Sequence, residues 1–178
     1  YEHLKTKFNI FISTDTRGLR FLDTKKYKVE IIDVPKLSRN IFLFPIQFFS
    51  ILYSIYKSFK VLKKKKIEIL ISTGGYMSVP LCVASKMLNI KIFLFEPNMV
   101  LGRSNRLFVN SSTKIFCYSN MIKRFPNNSK NKISLIPALL KKNFYSLKMN
   151  ESINQNINLL IIGGSQGAKI FDNIIKSS

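Results

Sequence analysis

The chain has 178 residues, 46% hydrophobic and 12% aromatic, which is enough to bury a core and too apolar for a disordered tail. Two widely separated cysteines, a single histidine at position 3 and no leader-like start exclude a disulfide framework, a histidine metal cluster, an internal Ser-His-Asp triad and a visible signal peptide, and the missing Met suggests a fragment. The net charge of +20 invites a nucleic-acid partner, but six Arg against 23 Lys, with 24 Ile, 16 Asn and three Ala, looks like the drift of an AT-rich genome, so none is expected.

Residues 7–13 (KFNIFIS) predict a short strand, followed by a polar break over 14–18. Residues 27–34 (YKVEIIDV) predict a second strand, stopped by Pro35. Residues 45–66 predict a long amphipathic helix. Residues 67–72 (IEILIS) predict an apolar strand that runs into Gly74-Gly75, and 77–88 a helix after it. A strand over 90–95, a helix over 103–109 and strands over 114–118 and 132–136 follow. Residues 143–156 are polar and aperiodic and read as an interdomain linker. Beyond them, 158–162 predict a strand into Gly163-Gly164, with a helix from 166. Short apolar strands alternating with helices imply an α/β fold, a Rossmann-like, doubly wound, mostly parallel sheet. Continuous apolar runs suggest strands buried on both faces. The domain division is then 1–142, a linker over 143–156, and the start of a second domain over 157–178.

The helix over 45–66 places Phe48, Ile51, Leu52, Ile55, Phe59 and Leu62 at i, i+3, i+4, i+7 spacing. Gln47, Ser50, Ser54, Lys57 and Ser58 form a polar stripe, and Phe49, Tyr53 and Tyr56 widen the apolar side. Lys63, Lys64, Lys65 and Lys66 crowd its end, behind Lys57 and Lys60. Three readings stand: a core helix with a solvated, dipole-complementing end, a helix offering spare aromatic surface and lysines to an anionic membrane surface, or a span. The uncharged stretch 41–56 has 16 residues, short of the roughly 20 that a span needs.

Two glycine loops carry chemistry: 72–80 (STGGYMSVP) and 163–168 (GGSQGA), each between a strand and a helix. Such turns let backbone N–H groups approach an anion at the carboxyl ends of strands. Ser72, Thr73, Ser78 and Ser165 offer hydroxyls. Neither loop matches G-x-G-x-x-G or the Walker pattern, and tight strand–helix packing without a ligand is the alternative. Glu96 and Asn98, in Phe95-Glu-Pro-Asn98, also follow a strand, where a plain turn is the competing reading. Asn105 reads either as a site residue or as a helix-start residue.

In order, GGYMSVP, FEPN, GRSNRLF and LLIIGGSQGA resemble the MurG family, GT-B glycosyltransferases of two domains. The resemblance implies an acceptor domain followed by the beginning of a nucleotide-sugar domain. It implies inverting transfer of GlcNAc from UDP-GlcNAc to undecaprenyl-linked MurNAc-pentapeptide by a peripheral enzyme on the cytoplasmic face of the membrane, with no cofactor or metal. By resemblance, Gly74, Gly75, Tyr76, Ser78 and Asn105 meet the acceptor, while Asn98, Gly163, Gly164, Ser165, Gln166 and Gly167 meet the donor. Phe48, Phe49, Ile51, Leu52, Ile55 and Lys63 to Lys66 are the expected membrane contacts, and Glu96 is an organiser or a weak candidate base. The family's G-G-T-G-G-H loop, expected before Tyr1, is not in the chain, so these residues alone are not expected to turn over. H-E-Q-N reads FEPN here, Val79 replaces a frequent Gly, and residues 136–142 offer no counterpart of the G-N-P-V-R arginine. Another GT-B lipid glycosyltransferase and a non-enzymatic basic membrane-binding module remain the alternatives.

Overall fold

A computed structural model describes residues 4–35 and 40–139 of the chain. The chain divides into two units after Ala138, and the description that follows concerns the first. In chain order it contains β1 (Ile12–Thr14), α1 (Thr16–Leu19), β2 (Val29–Ile31), α2 (Phe44–Lys64), β3 (Ile69–Ser72), α3 (Val79–Met87), β4 (Lys91–Glu96), α4 (Arg103–Phe108), β5 (Lys114–Cys117) and β6 (Ile133–Leu135). Every pairing between these strands is parallel. β1 pairs β2, and β3-β4-β5-β6 form a four-stranded sheet. The alternation of β strands and helices read from the sequence is the observed architecture, with most strands a residue or more shorter than their apolar runs. The elements expected over 158–176 and the linker over 143–156 lie outside the described residues.

The core has two parts. Cys82, Ile92, Leu94, Leu101, Phe108, Val109, Ile115 and Cys117 pack between the sheet and the segments α3 and α4, while Ile32, Leu62, Leu81 and Ala84 join β2's exit, α2 and α3. Strands β4 and β5 alternate rather than bury both faces: Ile92, Leu94 and Glu96 are buried, and Phe93 and Phe95 are half-buried. That second face carries a stacked Phe93–Phe116 pair and an edge-on Phe95–Tyr118 pair. The expectation of strands buried on both faces is therefore corrected for the described residues. An aromatic ladder also makes a continuous apolar run, because cross-strand rings shield part of one another's surface. Lys132 closes the far end of α4 by donating from Nζ to the carbonyls of Val109, Asn110 and Ser112 at 3.1, 2.7 and 2.8 Å.

Helix α2 lies where its periodicity placed it, and most of its aromatic residues point away from the core. Its buried residues are Gln47, Ser54, Ser58 and Leu62. Ser54 Oγ lies 2.7 Å from the Asp33 carbonyl and 2.9 Å from that of Ser50, and Ser58 Oγ donates to Ser54 O at 2.7 Å. A serine that bonds the carbonyl four residues back carries its own partner into the interior, and its small size lets the helix approach closely. The serines of the polar stripe therefore belong to the packing face, together with Leu62 and the half-buried Phe59. The aromatic side faces out: Phe42, Phe44, Ile46, Phe48, Phe49, Tyr53 and Tyr56 are all more than half exposed. Ile51 and Ile55 are half-buried on the flank. Lys65 turns back to pair with Glu30 at 2.9 Å, its Nζ 4.7 Å from the centre of the Phe11 ring, whereas Lys63, Lys64 and Lys66 stay exposed.

Candidate functional site

Strand parity explains the site's centre. β4 buries alternate residues, and Glu96 falls on the inward parity at the strand's last position. Its carboxylate is 2% exposed, which demands partners. Oε1 accepts from the Asn98 backbone N–H at 3.2 Å and from Asn98 Nδ2 at 2.9 Å. Oε2 accepts from the Gly102 N–H at 2.8 Å and from Asn105 Nδ2 at 3.0 Å. Four donors take up the roughly four lone-pair positions of a carboxylate. Glu96 thus ties the end of β4 to the start of α4 and does not project into solvent as its place after a strand suggested.

Asn105 is the other half of this unit. It sits within the first turn of α4, is 2% exposed, and does not cap the helix, whose N-cap is Gly102. Nδ2 bonds both Glu96 and the Phe95 carbonyl, the latter at 3.2 Å. Two acceptors facing one end of the amide settle which end carries nitrogen. Among the described residues Oδ1 is buried without a partner, and it lies under the glycine loop: a Cβ on Gly74 would stand 3.0 Å from Asn105 Nδ2 and 3.2 Å from Oδ1.

The loop itself leaves β3 through Ser72, whose buried Oγ accepts from the Gly74 N–H at 3.2 Å. Gly74 and Gly75 both have φ +81°, where L side chains are strained. Gly75 has ψ 154°, and among the described residues no atom lies within 4 Å of where its Cβ would be, so the space above it is open there. A 3-10 turn over Tyr76–Ser78 then leads into α3, where a helix from 77 was expected. Ser78 Oγ donates to the Gly75 carbonyl at 2.8 Å. The hydroxyls of Ser72 and Ser78, read from the sequence as groups for a ligand, are thus used to build the loop. Cys82 lies beneath: burial pushes its thiol up to about 11, against the opposing effect of the Ser72 and Ser78 hydroxyls. Burial, then the Glu96 charge, pushes Cys117 up to about 11.

The structure thus joins Gly74, Asn105, Glu96 and Asn98 through direct contacts at the carboxyl ends of β3 and β4. Gly163, Gly164, Ser165, Gln166 and Gly167 lie outside the described residues. One constellation was missed from the sequence, where residues 14–18 looked like a mere polar break. Asp15 is fully buried, accepts from the Gly18 N–H at 2.9 Å as the cap of α1, and pairs with Arg17. Burial works against its ionisation, but the Gly18 amide and Arg17 outweigh it and hold its carboxyl below its ordinary range. Arg17 Nη2 donates to the Val34 carbonyl at 3.1 Å, and its Cζ lies 5.0 Å from the centre of the Tyr76 ring. A Thr-Asp-x-Arg-Gly run directly after a strand, with an N-cap residue two places before an arginine, was the available signal.

Residues 2–117 match the glycosyltransferase family 28 N-terminal domain. Over all 178 residues the chain is 52% identical to the UDP-N-acetylglucosamine–N-acetylmuramyl-(pentapeptide) pyrophosphoryl-undecaprenol N-acetylglucosamine transferase of Pelagibacter ubique, covering 50% of that protein. The transferase of the same name from Francisella philomiragia is 35% identical over 133 residues, 71% of this chain and 36% of that one. The chain spans about half the length, or less, of the curated relatives it matches. A crystal structure of Acinetobacter baumannii MurG superposes with a TM-score of 0.72 over 97% of this chain and 49% of that one, at 21% identity, a likeness of fold.

Proposed function

Because the chain belongs to glycosyltransferase family 28, matching its N-terminal domain, we propose that it is the acceptor-side half of a transferase that moves GlcNAc from UDP-GlcNAc to undecaprenyl-linked MurNAc-pentapeptide. The 52% identity over the whole chain to the Pelagibacter transferase is the observation that carries the reading. The cleft chemistry supports it. Gly74 and Gly75 let a substrate approach main chain at the carboxyl ends of parallel strands, where α/β folds bind ligands. Glu96, with its lone pairs filled, serves this cleft as an organiser that holds Asn98 and Asn105, not as the base for the acceptor hydroxyl. A transfer assay on the full-length gene product with UDP-GlcNAc and a short-chain lipid acceptor tests the reading; an enzyme that uses a different lipid and leaves the MurNAc acceptor untouched would replace it with the glycolipid-synthase alternative.

The acceptor is a lipid, and α2 offers the surface to meet it. No helix among the described residues is long and apolar enough to cross a membrane. The outward face of α2 combines exposed rings with a recess of about 410 Å³ lined by Tyr56, Phe59, Lys60, Lys63 and Lys64. Insertion of the rings and attraction of the lysines to anionic lipid act together. At about 1 kcal/mol per lysine near such a surface, changing Lys63, Lys64 and Lys66 to Gln should weaken binding to anionic vesicles about a hundredfold at low salt. Equal binding of the triple variant and the parent would remove the electrostatic part of the proposal.

A further inference from the structure

We infer that Arg17 is the residue that grips the acceptor's diphosphate, an assignment that rests on the acceptor-cleft reading above. Its guanidinium is built into place. Nε and Nη2 are held by the fully buried carboxylate of Asp15, and Nη2 also reaches the Val34 carbonyl. The plane lies beside Tyr76 of the glycine loop. Arg17 therefore links the exits of β1, β2 and β3, and its side chain is still 36% exposed. Among the described residues, the Nη1 edge has no partner. Tyr76, which the guanidinium meets, directly follows Gly75 in the chain, and among the described residues no atom lies within 4 Å of where a Cβ on Gly75 would stand.

This arrangement suits a diphosphate. One edge of the fork is spent on protein acceptors, which fixes the orientation of the other. Asp15 cancels the formal charge, so what remains is the two N–H bonds of Nη1, which diverge and can each meet a different phosphate oxygen. An ammonium carries its three donors on one atom and lacks the planar spread of the guanidinium, so it presents no separately oriented edge to a ligand. The donors act with the loop's main chain, where the absence of side chains lets phosphate oxygens come close.

The test uses the 178-residue chain and geranyl diphosphate, followed by titration calorimetry, with geraniol and UDP as comparisons. Geranyl diphosphate should bind, geraniol should not compete, and UDP should compete at least tenfold more weakly. Arg17→Lys and Arg17→Gln should each lose tenfold or more in affinity while melting as cooperatively as the parent. If the variants do not fold, phenylglyoxal modification of the parent, mapped by mass spectrometry, takes their place: geranyl diphosphate should protect Arg17. Parent-like affinity in folded Arg17→Lys, unprotected Arg17, or no binding by the parent overturns the assignment. Equal competition by UDP overturns its acceptor side. Diphosphate binding does not require sugar transfer. A full-length protein that binds through Arg17 yet transfers no GlcNAc would fault the transferase reading alone, and one that transfers GlcNAc with Arg17 replaced would fault Arg17 alone.

Discussion

Adding one methyl group to Gly74 should measure how tightly the glycine loop is propped by Asn105. In Gly74→Ala, two costs arise. The backbone at φ +81° is strained for any L residue, on the order of 1–2 kcal/mol. The new Cβ also stands 3.0–3.2 Å from three atoms of the Asn105 amide. That amide cannot move aside freely, since it is 2% exposed and anchored to Glu96 and Phe95. Loosening those buried bonds adds about 1–3 kcal/mol, so the total is about 2–5 kcal/mol. Gly75→Ala meets no atom, and only its backbone strain applies, about 1–3 kcal/mol. The decisive measurement is a double-mutant cycle in urea. With Asn105→Ala as the background, the obstructing amide is gone and Gly74→Ala should cost only its backbone share. The coupling of about 1–3 kcal/mol would appear as a difference of about 1 M between the two midpoint shifts, for a slope near 2 kcal/mol per M. An identical cost of Gly74→Ala in both backgrounds would refute the idea that Asn105 supports the loop.

Glu96→Gln keeps the shape but replaces one oxygen with a donor facing two donors, so urea unfolding should show a loss of about 2–4 kcal/mol, against about 1 kcal/mol for exposed Asn98→Ala; a Gln variant within 0.5 kcal/mol of the parent would mean the four hydrogen bonds are not maintained in solution. Both thiols, raised to about 11, should be protonated at pH 8 and resist iodoacetamide in the folded chain, then label readily in urea. Rapid labelling of either thiol under native conditions would contradict its burial.

Much of the order of elements was legible in the sequence, because apolar runs punctuated by Gly and Pro report strand and turn positions through local sterics and burial alone. The 45–66 helix was found within a residue or two at either end for the same reason. The candidate site was legible in part. Gly74 and Gly75 announced themselves by chemistry that needs positive φ, and Glu96 by its place after a strand, while its inward parity on β4 was readable from the alternation Ile92, Leu94, Glu96 but was not used.

What tertiary structure alone decided was which side of each element faces in. Periodicity showed that α2 has a serine stripe and an aromatic side. It did not show that Ser54 would find the Asp33 carbonyl and so bury the stripe, leaving the rings outside. Nor did any local pattern say that Lys65 would pair with Glu30 while Lys64 and Lys66 stayed exposed, or that Arg17 would meet Val34 and Tyr76. Hydrophobic pattern and propensity act over a turn or two of chain. A buried serine, carboxylate or guanidinium is tolerated only when partners from distant segments satisfy its hydrogen bonds, and those partners exist only once the chain has folded.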